Sequence, residues 1–252
     1  MLRKIVSLLI VSGVMLAVAG CSDSKNAPPP PAPAPVAVAQ GYHAAETFNV
    51  GENVYVRSLA TDPRTNALWV GTSVGVIEVD LATLNMRNNF TRDSGMANEY
   101  VFSIFVDSRG EKWFGTNGGG VSRYNGAKWQ TYFPMHGLAD YWVYSFTEQR
   151  SGTMWVGTWA GLSALDVKTG KFKTYLKELV NEWVYGLAID SKDHVWVGTE
   201  GGINMFDGQT WKTWTHADGL GAPNADNLPA SPNTGLGTRS RHDLSVLMQG
   251  KP

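Results

Sequence analysis

The stretch Val195-Trp196-Val197-Gly198-Thr199-Glu200-Gly201-Gly202-Ile203 decides the fold, because it recurs. Leu68-Trp69-Val70-Gly71-Thr72 is followed by Gly75-Val76, Lys112-Trp113-Phe114-Gly115-Thr116 by Gly119, and Met154-Trp155-Val156-Gly157-Thr158 by Gly161-Leu162. The four tryptophans stand 44, 42 and 41 residues apart. Four matches to W-[VF]-G-T-x-x-G at a near-constant period mark a repeat architecture.

The flanks of each match align too. A predicted strand opens at Val56, Val101, Val143 or Val184, and six residues later stands Asp62, Asp107, Gln149 or Asp190. Turn formers follow, as in Asp107-Ser108-Arg109-Gly110 and Asp190-Ser191-Lys192-Asp193. Beyond the Trp strand a third strand is expected, as at Val121–Tyr124, then an Asn125-Gly126 or Asp207-Gly208 hairpin turn. A fourth strand closes the unit at Trp129–Tyr132 or Trp211–Trp214, and a Gly-Leu connector follows at Gly137-Leu138 and Gly219-Leu220. Four short strands per repeat describe an all-β fold of β-propeller blades, at about 53–98, 99–140, 141–181 and 182–220. A single blade cannot bury both its faces, so copies must lean on one another around an axis. Composition agrees: 28 Gly and ten Trp, nine Tyr and nine Phe, punctuated by turns.

Residues 1–20 read as an export address. Arg3 and Lys4 precede an apolar run from Ile5 to Ala19, too short and too abruptly ended for a first reading as a membrane span. Val18-Ala19-Gly20-Cys21 resembles the bacterial lipobox, in which the cysteine is lipidated and the signal removed. Cys21 is the single cysteine, which rules out an intrachain disulfide. That resemblance implies a lipoprotein, acylated with palmitate-type chains at Cys21. The residues after it are Ser22-Asp23; an aspartate directly behind the cysteine would imply inner-membrane retention, so the outer membrane is expected, with the folded part at its periplasmic side or at the cell surface. Residues 21–46 include the run from Pro28 to Pro35, a polyproline-like spacer. Removal of Arg3 and Lys4 leaves 19 basic against 22 acidic residues, with no polybasic patch, so nucleic acid is not an expected partner.

The pattern V-x-S-x-x-x-D-x-x-G-x-x-W-V-G-T-x-x-G-[VL], carried over about residues 53–220, resembles the two-component regulator propeller repeat. That family supplies the exported sensor part of some hybrid histidine kinases. The resemblance implies a binding or sensing module, and no kinase core or DNA-binding helix follows it in this sequence. Departures are Gln149 for the usual Asp, one extra residue before Trp69, and Gly120. Residues 221–252 hold no Trp, Tyr or Phe and cannot form a fifth such blade; they are read as an irregular or disordered tail. Three arrangements stay open for the four units of 47–220: a truncated member of a longer family, a homo-oligomer that completes the propeller, and a small ring or open arc. Thr47-Phe48-Asn49-Val50 resembles an outermost strand able to cover one edge.

Two residue sets are expected on one face of the disc. The first precedes each opening valine: Tyr55, Tyr100, Trp142 and Trp183. The second lies within T-x-x-G and includes Asn117, Trp159 and Glu200. Together they read as an aromatic-lined site able to stack on a saccharide, a peptide or a flat ligand, or to meet an envelope protein. The competing reading is inter-blade packing: strict alternation puts Tyr100, Phe102 and Ile104 on one strand face, and Val101 and Ser103 on the other. The five histidines are scattered and none has metal-ligand spacing, so no metal, cofactor or catalytic residue is assigned and the chain is not read as an enzyme. Two catalytic readings stand as alternatives. Streptogramin lyases are similar-looking propellers with axial His and Glu, of which only Glu200 has a counterpart here. Residues 164–171 resemble a quinone-dehydrogenase repeat, but only once.

Overall fold

The computed structural model describes residues 50–220, so Cys21, the signal, the spacer, residues 47–49 and the tail after 220 lie outside the described residues. Sixteen strands form four separate four-stranded sheets, each antiparallel and each in chain order. Blade one is β1 (Val56–Asp62), β2 (Ala67–Thr72), β3 (Gly75–Asp80) and β4 (Met86–Phe90). Blade two is β5 (Val101–Val106), β6 (Lys112–Thr116), β7 (Val121–Tyr124) and β8 (Trp129–Tyr132). Blade three is β9 (Val143–Glu148), β10 (Thr153–Thr158), β11 (Gly161–Asp166) and β12 (Lys171–Tyr175). Blade four is β13 (Val184–Ile189), β14 (Val195–Thr199), β15 (Gly202–Phe206) and β16 (Trp211–Trp214). The first strands touch in succession, β1 to β5 to β9 to β13, which places them innermost.

The core lies between blades. Trp69 and Val76 of blade one meet Val101, Ile104 and Phe114 of blade two. Trp113 and Tyr132 meet Val143, Phe146, Met154 and Val156 of blade three, and Trp155, Leu162 and Tyr175 meet Val184, Val195 and Val197 of blade four. The repeat Trp of blades one to three therefore faces the next blade, stacked on an aromatic of its own fourth strand, as Trp113 on Tyr132 at 5.9 Å and Trp155 on Tyr175 at 5.4 Å. In blades one to three the glycine of W-x-G-T has no room for a side chain. A Cβ on Gly115 would lie 2.3 Å from Ser103 Oγ and 2.6 Å from Val143, and one on Gly157 would lie 2.6 Å from Val184.

The repeat threonine closes the turn between second and third strands. Its hydroxyl donates to the carbonyl of Gly75, Gly161 and Gly202 in blades one, three and four, at 2.7–2.9 Å. In blade two Thr116 donates to Gly120, so Gly120 rather than Gly119 is the repeat glycine. Three consecutive glycines hide a one-residue insertion there. The position demands glycine because φ is +66° and a Cβ would fall 2.2 Å from the Tyr132 carbonyl oxygen.

The recurrent acid stands just before the first turn, where such a residue commonly forms an Asx turn or bonds a nearby hydroxyl. It does form the turn, with Asp107 Oδ1 accepting from the amides of Arg109 and Glu111. Its second oxygen accepts instead from the indole of the repeat Trp: Trp113 Nε1 to Asp107 at 3.0 Å and Trp196 Nε1 to Asp190 at 3.0 Å. Gln149 keeps the same bond with Trp155 at 2.7 Å, which explains how an amide serves there. Burial alone would raise Asp107, but the bonds from Trp113, the Glu111 amide and Arg109 outweigh it and hold the carboxyl below its usual range. Blade one breaks the pattern. Its extra residue puts Asn66 at φ +50°, Trp69 Nε1 is buried without a partner, and Asp62 pairs at 2.8 Å with Lys112 of blade two.

A second recurrent bond ties each connector to the blade it enters. The amides of Ala97, Ala139 and Val180 donate to the buried side chains of Ser122, Ser163 and Asn204 at 2.9–3.0 Å. Blade one has the apolar Ile77 at this register, where it joins Val70 and Val79 in a small cluster against Val50 and Leu68.

Candidate functional site

Every blade carries a β-bulge one residue into its first strand. The ladder skips Arg57, Phe102, Tyr144 and Tyr185, the residues immediately after the opening valines. A bulge re-aims the extra side chain. Here it frees these four from the inter-blade face, and they join into a row: the Arg57 guanidinium lies 5.0 Å from the Phe102 ring, Phe102 stacks on Tyr144 at 5.0 Å, and Tyr144 meets Tyr185 at 5.2 Å. Strict alternation had put Phe102 and Ile104 on one strand face. The bulge overturns that: Val101 and Ile104 pack on blade one, and Phe102 turns aside from them.

The two expected residue sets do come together. The amides of Ser73, Asn117, Trp159 and Glu200 donate to the carbonyls of Tyr55, Tyr100, Trp142 and Trp183 at 2.9–3.2 Å, so each turn is fastened to the residue that precedes its blade's first strand. Side chains then gather mainly at blades three and four. Trp159 stacks on Trp183 at 4.5 Å, meets Trp142 edge-on at 5.4 Å and reaches Tyr144 at 6.2 Å. Trp142 also lies over Gly118 of blade two and remains 41% exposed. Tyr100 joins through Phe102 at 5.4 Å and lies under Arg57. Tyr55 stands apart, 67% exposed, and the Asn117 side chain is open to solvent while its carbonyl accepts from Asn98.

Tyr185 is the buried end of the row. Among the described residues its hydroxyl has no hydrogen-bond partner, and burial, with the Glu200 carboxylate and Tyr144 adding to it, pushes its pKa up to about 12. Tyr144 is raised as well, by burial first and then by Asp140, with Arg57 opposing. Both phenols thus stay protonated donors at neutral pH. Sequence reading missed Arg57, Phe102, Tyr144 and Tyr185 as site residues, although their recurrence one place after the valine was visible.

The described histidines are occupied elsewhere. His136 Nδ1 accepts from the Phe133 amide, His194 pairs with Asp190 in a first turn, and His216 contacts the Leu220 carbonyl. Among the described residues no three His, Cys, Asp or Glu side chains cluster as metal ligands would, and no helix is long and apolar enough to cross a membrane.

This geometry defines the class: an all-β protein of propeller blades with an aromatic face along the inner strands. Within that class, residues 178–201, the connector into blade four through its Trp strand and Glu200 turn, match the two-component regulator propeller family. No curated protein matches the chain by sequence. Among solved structures it is similar to the extracellular domain of a protein described as a hybrid two-component system of B. thetaiotaomicron, at 24% identity and TM-score 0.64, covering 69% of this chain and 25% of the other. A second such B. thetaiotaomicron domain gives 25% identity and TM-score 0.56, covering 64% and 22%. Virginiamycin B lyase from Staphylococcus aureus gives 16% identity and TM-score 0.51, covering 64% and 55%. The chain thus spans about a quarter of the length of the two-component domains and about half that of the lyase, whose likeness is one of fold.

Proposed function

We propose that this chain is an exported, non-enzymatic binding module of the cell envelope, anchored through a lipid on Cys21. It recognises a ligand or an envelope protein with the face built from Tyr100, Trp142, Trp159, Trp183 and the bulge residues. The observation that carries this reading is the aromatic row itself, open at Trp142 and ending at a buried Tyr185 hydroxyl with a hydrogen bond still to make. Stacking rings beside a few convergent polar groups suit a saccharide or an aromatic-bearing peptide. The similar B. thetaiotaomicron structures are extracellular domains of proteins described as two-component systems, which supports an envelope location and a sensing role.

The test is titration of the purified chain with soluble neutral oligosaccharides and with short aromatic peptides, read by tryptophan fluorescence and calorimetry. Saturable binding to one class, weakened by Trp142→Ala and by Trp159→Ala, supports the reading. Binding that survives both substitutions, or turnover of a bound compound, refutes it. The anchor is tested separately: labelled palmitate should enter the chain in cells and fail to enter Cys21→Ala.

A further inference from the structure

Each inner blade seats apolar side chains of its first strand on the glycine of the blade before. Val101 and Ile104 lie over Gly71, Val143 over Gly115 and Val184 over Gly157. These valines are wholly buried, and Ile104 and Phe146, three places on, are 9% and 8% exposed. Among the described residues nothing covers the same two positions of blade one: Val56 is 47% and Leu59 60% exposed. At the other end, Trp196, Trp214 and Leu220 of blade four are only half-buried, whereas their counterparts Trp113, Tyr132 and Leu138 are between 0% and 5% exposed. The described blades therefore form an open arc, not a closed four-blade ring. Its two ends are the two halves of the joint already made three times within the chain.

Charge at the axis agrees. Blade one ends the bulge row with Arg57, and blade four carries Glu200 beside Tyr185. Each bulge residue touches that of the next blade, so a further blade one set against blade four would bring its Arg57 to Tyr185 and Glu200. The guanidinium would donate to the Tyr185 hydroxyl oxygen, which lacks a partner.

We propose that two copies of this chain join end to end, blade four of each on blade one of the other. The product is an eight-blade ring. Eight lies at the upper limit of the usual range of about four to eight blades, and three copies would give about twelve. Two-fold symmetry uses each end once and leaves none open. The inference does not depend on the axial face binding a ligand.

The experiment is the mass of the full chain in mild detergent micelles, by native mass spectrometry and sedimentation. Twice the protomer mass is expected. Leu59→Glu and Val56→Asp, at positions already exposed in one protomer, should shift the chain to monomer, raising the dissociation constant about tenfold or more with the far-UV spectrum unchanged. Arg57→Glu should weaken the dimer and the double variant Arg57→Glu, Glu200→Arg should restore it. A monomeric unmodified chain at micromolar concentration, a ladder of higher multiples, association only with a different envelope protein, or a dimer indifferent to Leu59→Glu would each overturn the proposal.

Discussion

Trp113→Phe and Trp69→Phe should differ in cost although the two tryptophans occupy the same place in the repeat. Both rings are at most 2% exposed and face the next blade, so losing the larger ring costs each a common packing term of about 1–2 kcal/mol. Trp113 also donates to the ionised Asp107, and removing a hydrogen bond to a buried charge costs about 1.5–3 kcal/mol more. Trp69 has a buried N–H with no acceptor, so its removal relieves a penalty of about 1–3 kcal/mol. The sum is about 2.5–5 kcal/mol lost for Trp113→Phe, and for Trp69→Phe a change between about 1 kcal/mol lost and about 2 kcal/mol gained. Urea unfolding at neutral pH, followed by far-UV circular dichroism, reads the difference directly. Equal losses, or a larger loss for Trp69→Phe, would refute the account of the extra residue before Trp69.

The same carboxylate predicts a pH effect. Asp107 has its folded pKa depressed, so the stability it contributes is full above its unfolded value, near 3.8, and is lost as pH falls through the lower folded value. Asp107→Asn should flatten acid unfolding below about pH 4, whereas blade three, with Gln149, contributes no such dependence. Gly115→Ala should destabilise by more than Gly71→Ala, because the first meets the Val143 carbonyl oxygen at 2.8 Å and the second meets only side chains at 2.9 Å or more; thermal melting compares them. Tyr185→Phe should leave the isolated chain as stable or up to about 1 kcal/mol more stable, since it removes an unsatisfied buried hydroxyl, while weakening any ligand that bonds there. Melting and titration on the same sample separate the two effects.

Most of the fold was legible because the repeat writes it four times. The strands at Val121–Tyr124, Trp129–Tyr132 and Trp211–Trp214 fall where the hairpin signals placed them. The site was legible in part. The aromatic residues before the opening valines were found by recurrence, but the bulges were not, because a ladder that skips one residue leaves no mark on an alternating pattern. Phe102 therefore read as a neighbour of Ile104. Gly120 was obscured for a different reason: with Gly118, Gly119 and Gly120 in a row, only the Thr116 hydroxyl bond shows which one takes the repeat's place. The acid's bond to the indole depends on three-dimensional reach and could not be read from spacing alone.

The skipped residues have a consequence for how such a protein can change. Because Arg57, Phe102, Tyr144 and Tyr185 are outside the pairing and outside the inter-blade clusters, each can be exchanged with little disturbance to the joints behind it. The scaffold holds four editable letters, each touching the next, on an invariant frame. One lineage of blades could thereby be re-addressed to new chemistry by point substitutions, without being rebuilt.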